Sequence, residues 1–159
     1  MRSTLINTGR TFMLALDHGE DFFTGLTAFC SEQGIRAGFI PSFVGGFSTA
    51  RLVGSCTPLA NPEAPLWEEI TVETLEALGG GTLAWDTEEE HLAPHIHVAA
   101  GLKGDSAHGR VSHLLDATVQ FICEIPIIEV LGSENRPGLT RRRAAELYDV
   151  PLLGFGTGL

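Results

Sequence analysis

Basic side chains are scarce in this chain. Ten Lys and Arg stand against twenty Asp and Glu in 159 residues, for a formal net charge of −10. Such a balance repels phosphate backbones at long range, so nucleic acid is a disfavoured partner unless the bases gather on one face. The one dense basic run, Arg141-Arg142-Arg143, reads as a solvated loop or helix start. Charge of either sign is sparse too: 19% of residues are charged, below the usual quarter, while 43% are hydrophobic. A chain so composed buries a core and is not disordered, and so few charges point to surface buried in an oligomer. Cysteine is sparse: three residues, odd in number and without a CxxC pair. That excludes a disulfide framework and fits a reducing cytoplasm. Cys30 and Cys123 sit among apolar residues and read as small core side chains. No apolar run approaches the roughly 20 residues that cross a bilayer. The first ten residues are largely polar and lack a signal-peptide core, so a cytoplasmic protein without membrane partners is expected. There is no internal repeat or low-complexity segment. The length suits a single domain over 1–159.

The chain's elements follow from its patterning. Residues 11–17 (TFMLALD) read as a strand. Acids at 20–21 mark a helix entry, and Phe22, Phe23, Leu26, Phe29 and Cys30 recur at helical spacing before Gly34, so a helix is expected over 21–33. Residues 36–53 look like two strands joined at Gly45-Gly46, with Pro41 placing the first at an edge or bulge. Residues 55–66 read as a loop. Strands are expected over 67–74 and 82–86, separated by a flexible Gly79-Gly80-Gly81, and over 94–101. A connection over 102–112 leads to a long strand through 113–131, with a break at Pro126. In it Val119, Phe121, Cys123 and Ile125 form one apolar core face. The tail, 133–159, wraps over the domain or over a neighbouring subunit. One helix among hairpin-linked strands gives an α+β fold, a largely antiparallel sheet with one main helix packed on it.

Five of the six histidines fall between 91 and 113. His95 and His97 are separated by one residue on an expected strand, and such residues point to the same face. Two imidazoles on one face reach one ion at about 2.0–2.1 Å from each nitrogen. A third ligand must come from a neighbouring segment: His113, after a connection of about the length a return strand needs, with His108 the competing choice. Three histidines leave one position open to water or a ligand. Zinc is the first expectation, with nickel, copper and iron as alternatives. The plain alternative is a strand with two surface imidazoles. Glu88, Glu89 and Glu90 read as a solvated acidic turn or as partners supporting the ligands. Other chemistry finds little support. Ser106 and Ser112 lie near histidines without a G-x-S-x-G elbow. The glycine runs lack a phosphate-loop frame. Asp17, Glu20 and Asp21 fit a helix entry better than a carboxylate site.

Five segments together resemble the plant- and prokaryote-conserved domain, PPC or PCC. They are LALDHGEDFFTGLTAFC (14–30), GFIPSFVGGFSTARLVG (38–54), PHIHVAAG (94–101), SHLLDATVQFICEIPIIEV (112–130) and LYDVPLLGF (147–155), the last like a bacterial branch. The resemblance implies a homotrimeric α+β domain, with a metal near a subunit boundary at the positions of His95, His97 and His113. It also makes Gly19-Glu20-Asp21 a family mark. Where relatives often carry Gly-Gly before the late histidine, this chain has Val111-Ser112. That implies an altered loop with the ligand kept. The AT-hook of plant members is absent; the nearest sequence is Asn135-Arg136-Pro137-Gly138. Three functions follow as expectations. The leading one is a metal-binding, self-associating domain, with another protein or a small ligand at the metal. The others are a DNA-associated transcriptional regulator and a small metal-dependent enzyme. For the enzyme, Glu88 to Glu90 and Asp116 are the nearest acids in sequence to serve as acid or base.

Overall fold

The computed structural model describes residues 1–55, 67–133, 136–147 and 149–156, without the side chains of residues 55, 106–108 and 110. Of the loop expected over 55–66, residues 56–66 lie outside these. Among the described residues, seven strands and one α-helix form the fold: β1 (Asn7–Asp17), α1 (Phe22–Glu32), β2 (Gly38–Ser55), β3 (Trp67–Asp86), β4 (His91–Leu102), β5 (Asp105–Leu131), β6 (Leu139–Ala144) and β7 (Val150–Phe155). This is the expected α+β class, dominated by antiparallel pairing.

The helix starts where its chemistry dictates. Asp21 is extended and its carboxylate accepts from Thr24 N–H at 2.7 Å, satisfying one of the orphan donors of the first turn. Glu20 accepts from Asp17 N–H at 2.6 Å. Gly19 takes φ +89°, a left-handed conformation that a side chain would strain. The Gly19-Glu20-Asp21 motif is therefore a strand-to-helix joint. Phe22, Leu26 and Cys30 turn inward and are fully buried against β1 and β5. Phe22 meets the rings of Phe43 and Phe47 at 5.2 and 5.7 Å between centroids. Burying each such ring contributes about 1.5–3 kcal/mol.

The sheet is more continuous than the patterning suggested. No hairpin forms at Gly45-Gly46. β2 runs straight through, because the glycines are there for close approach: a Cβ on Gly45 would lie 2.7 Å from Cys123 Sγ, and one on Gly46 2.7 Å from the Gln120 carbonyl oxygen. The pairing of β2 with β5 slips at this point, Gly45 facing Cys123 and Gly46 facing Gln120. Phe121 and Ile122 are squeezed out as a bulge. Phe121 has φ +71° and is 71% exposed, so it leaves the apolar face to which alternation assigned it, while Val119, Cys123 and Ile125 are buried as expected. Pro126 causes no break; it pairs with Met13.

Gly79-Gly80-Gly81 is not a flexible joint either. β3 continues through it, pairing with β2 on one edge and β4 on the other. The connection expected over 102–112 shrinks to a turn at Lys103-Gly104, where Gly104 has φ +79°. β5 then pairs β4 with its first part and β2 with the rest. Strands β2, β3, β4 and β5 thus form a closed ring of hydrogen-bonded neighbours, which leaves them no open edge to each other. The tail does not trail away. β6 runs parallel to the end of β3 and pairs with β7, covering Ala37, Ala84 and Val130 with Leu139.

Candidate metal centre

The ring of strands brings the histidines together. In β4, Ile96 and Val98 point into the core, so His95 and His97 share the outer face. His113, in β5, is the direct cross-strand partner of His97. Directly opposed residues share a face. The Nε2 atoms of His95 and His97 are 3.1 Å apart. The three rings have centroids 4.9–5.4 Å from one another, and one nitrogen from each lies within 4.8 Å of the other two. The side chain of His108 is outside the described residues. His91 stands apart, exposed and 3.6 Å from Glu89.

The glycine run makes this geometry possible. Thr82 faces His95, Gly81 faces Ile96 and Gly80 faces His97 across the β3–β4 pair. A Cβ on Gly81 would sit 2.0 Å from the His95 carbonyl oxygen, and one on Gly79 would meet the Phe43 ring at 2.4 Å. Side chains here would force β4 off β3. On the other side of the site, the hydroxyl of Ser112 donates a short hydrogen bond to the Val53 carbonyl, pinning β5 to β2 one residue before His113. The Val111-Ser112 departure is thus built into the strand.

The surroundings favour the neutral form of His95 and His113. Partial desolvation, then the positive character of His113, Arg141 and His97, holds His95 down at about 4. Desolvation and then His97 lower His113 as well, with the backbone of Ile96 acting in the opposite direction. The Nδ1 of His113 is buried with no hydrogen-bond partner. Neutral imidazole is the ligating form.

The expected basic run is taken apart by strand geometry. Arg141 is buried, 4% exposed, and donates to Thr82 Oγ1 at 2.6 Å. Arg142 is exposed, and Arg143 pairs with Glu89 at 2.8 Å. A solvated run is therefore corrected to one buried guanidinium beside the histidines and one ion pair. Residues 82 and 141 are far apart in sequence, and only reading 139–144 as a strand would have set Arg141 and Arg143 on one face. Of the acids expected to support the site, Glu89 and Asp116 are engaged elsewhere. Glu89 belongs to Arg143 and His91. The N–H groups of Glu88 and Glu89 donate to the Asp86 carboxylate, which lowers its pKa. Asp116 pairs with Arg51.

With this geometry in hand, the family profile of the Plants and Prokaryotes Conserved (PCC) domain matches residues 5–131. The chain belongs to the PCC domain family. Solved structures share its fold. A plant- and prokaryote-conserved protein from Pyrococcus horikoshii superposes with a TM-score of 0.78 at 20% identity, covering 97% of both chains. A metal-containing protein from Archaeoglobus fulgidus gives 0.76 at 24% identity, covering 96% of this chain and 98% of the other. A protein from Ralstonia eutropha JMP134, provisionally described as DNA-binding, gives 0.69 at 20% identity, covering 90% of both. No protein of curated function matches the sequence significantly.

The residues of this PCC domain fit a metal ion. A tetrahedral ion with bonds of about 2.0–2.1 Å places its ligand nitrogens about 3.3 Å apart. The 3.1 Å between His95 and His97 is close to that. The partnerless Nδ1 of His113 is a buried acceptor or donor that the protein alone leaves unsatisfied.

Proposed function

We propose that this PCC domain is a metal-binding, self-associating module in which His95, His97 and His113 hold a divalent ion, zinc being the first choice, with one position left open. The observation that carries the reading is the convergence of three imidazoles from two adjacent strands on one point of the outer face. Three nitrogen ligands suit zinc, and a thiolate-free site suits copper and nickel next. When bound, such an ion supplies a Lewis acid at its open position. The domain's own contribution is to hold the imidazoles in place on two paired strands.

Self-association rests on the surface next to the site. Val44, Leu78, Ala99 and Val111 are successive cross-strand partners, so they form one row across four strands on the outer face. Val44, Leu78 and Val111 are at least half exposed. Ala99 and Val111 lie two residues along from His97 and His113, so the row borders the histidines. An exposed apolar row of this kind is a protein contact surface, and a homotrimer is the assembly we propose for it. With both buried cysteines free, a cytoplasmic setting is the one we propose; among the described residues no helix is long and apolar enough to cross a membrane.

Metal analysis of purified protein, beside a variant with all three histidines changed to Ala, tests the site. About one ion per chain in the parent and none in the variant is expected; equal contents would end the assignment. Light scattering tests the assembly, with three times the chain mass expected and the chain mass alone refuting it.

A further inference from the structure

Arg141 poses a problem that the chain leaves unsolved. Its guanidinium is buried and held by Thr82, the residue directly opposite His95. Among the described residues no carboxylate pairs with it. Asp86, its neighbour in the β3–β6 register, spends its Oδ1 on the N–H groups of Glu88 and Glu89, and Glu89 is taken by Arg143 and His91. A buried charge without a counter-charge is strongly unfavourable. Here it is also anchored on Thr82, which faces His95 across the β3–β4 pair, and so lies on the histidine side of the sheet. A divalent ion on those imidazoles would make the neighbourhood more positive still. An anion from outside the chain resolves both repulsions at once.

We infer that the open position of the metal centre is a receptor for a small organic carboxylate, with the buried, carboxylate-free guanidinium of Arg141, fixed by Thr82 beside His95, as its counter-charge. The inference rests on the metal reading above. It adds the ligand's chemical class and the residue that selects it. The guanidinium presents a rigid fork of donors that matches a carboxylate, and it stays charged at every physiological pH. Burial strengthens that recognition by lowering the local dielectric and removing competing water. Anchoring by Thr82 means that little side-chain freedom is lost when the ligand arrives. Neutral molecules of the same size leave the charge unanswered and are rejected.

The test uses the full chain loaded with cobalt(II), whose visible spectrum reports its ligands, titrated with glycolate in chloride-free buffer. The parent is expected to show a saturable spectral change. Arg141→Met should weaken glycolate at least tenfold while binding cobalt as tightly as the parent or more so, since a nearby cation has gone. Arg141→Lys, which keeps the charge without the fork, and Thr82→Val, which frees the guanidinium, should each weaken it at least threefold. Circular dichroism checks that each is folded. If Arg141→Met does not fold, the other two decide. A cobalt spectrum that glycolate leaves unchanged, or folded variants that bind it like the parent, overturns the carboxylate receptor alone. Absence of any cobalt spectrum overturns the metal reading and this inference with it.

Discussion

Replacing Gly81 by Ala is a small change with a large expected effect. The added Cβ would lie 2.0 Å from the His95 carbonyl oxygen and 2.9 Å from the methyl carbon Cδ1 of Ile96. Real Cβ atoms keep at least 3.0 Å from such atoms, so β4 must move off β3 by roughly 1 Å at His95. Overpacking of this kind costs about 1–3 kcal/mol. In a chain of this length that lowers Tm by about 2–12 °C. The metal centre suffers separately, because ligand positions must hold to about 0.2 Å. A displacement several times larger in one of three ligands should weaken metal binding about 10–100-fold, by analogy with the loss of ligand-orienting groups. The assay pairs thermal unfolding of the apoprotein with a chelator competition for zinc. Gly109→Ala is the control: its Cβ would meet nothing nearer than 3.6 Å, and it should behave as the parent in both measurements. If Gly81→Ala melts and binds zinc like the parent, the claim that the glycine run sets the spacing of the histidine strand is wrong.

Other consequences can be checked independently. Phe22→Ala removes a fully buried ring from the centre of the aromatic cluster, and urea unfolding should show a loss of about 3–5 kcal/mol; a loss under 1 kcal/mol would contradict that packing. The Glu129 carboxylate, held by the Nε and NH2 groups of Arg10 at 2.9 and 2.8 Å, sits below its ordinary range. A lowered carboxylate stabilises above its unfolded pKa and loses that contribution as pH falls through the folded one. Glu129→Gln should therefore cost about 1 kcal/mol or less at pH 7 and progressively less toward pH 3, read from unfolding at several pH values; a cost that grows on acidification would reverse the assignment. Burial pushes the Cys30 thiol up to about 11 and the Cys123 thiol up to about 12. Neither should react with maleimide at pH 8 until the protein is unfolded, and peptide mass spectrometry after brief labelling would expose a mistake.

Much of the candidate site was legible because strand periodicity is local. An HxH pair on a strand must share a face, and both histidines do so here. The helix was legible for the same reason, its apolar spacing and the acids at its entry lying within one short segment. The glycine pairs were misread because a local pattern does not tell a turn from a close approach. Gly45 and Gly46 are small on account of Cys123 and Gln120, and Gly79 on account of Phe43 and His97. Phe121 was assigned to the core because alternation assumes an unbroken ladder, which the bulge opposite Gly45-Gly46 interrupts.

By itself, then, the sequence determined the α+β class, the helix and its acidic entry, the buried Cys30 and Cys123 and the shared outward face of His95 and His97. Each depends on residues a few positions apart, where backbone geometry leaves little choice. Tertiary structure alone decided that His113 stands opposite His97, that the glycines are contact points within long strands, and that Arg141 is carried in beside Thr82 and His95. Those outcomes depend on which strands pair, and pairing is settled by burial of the whole core at once.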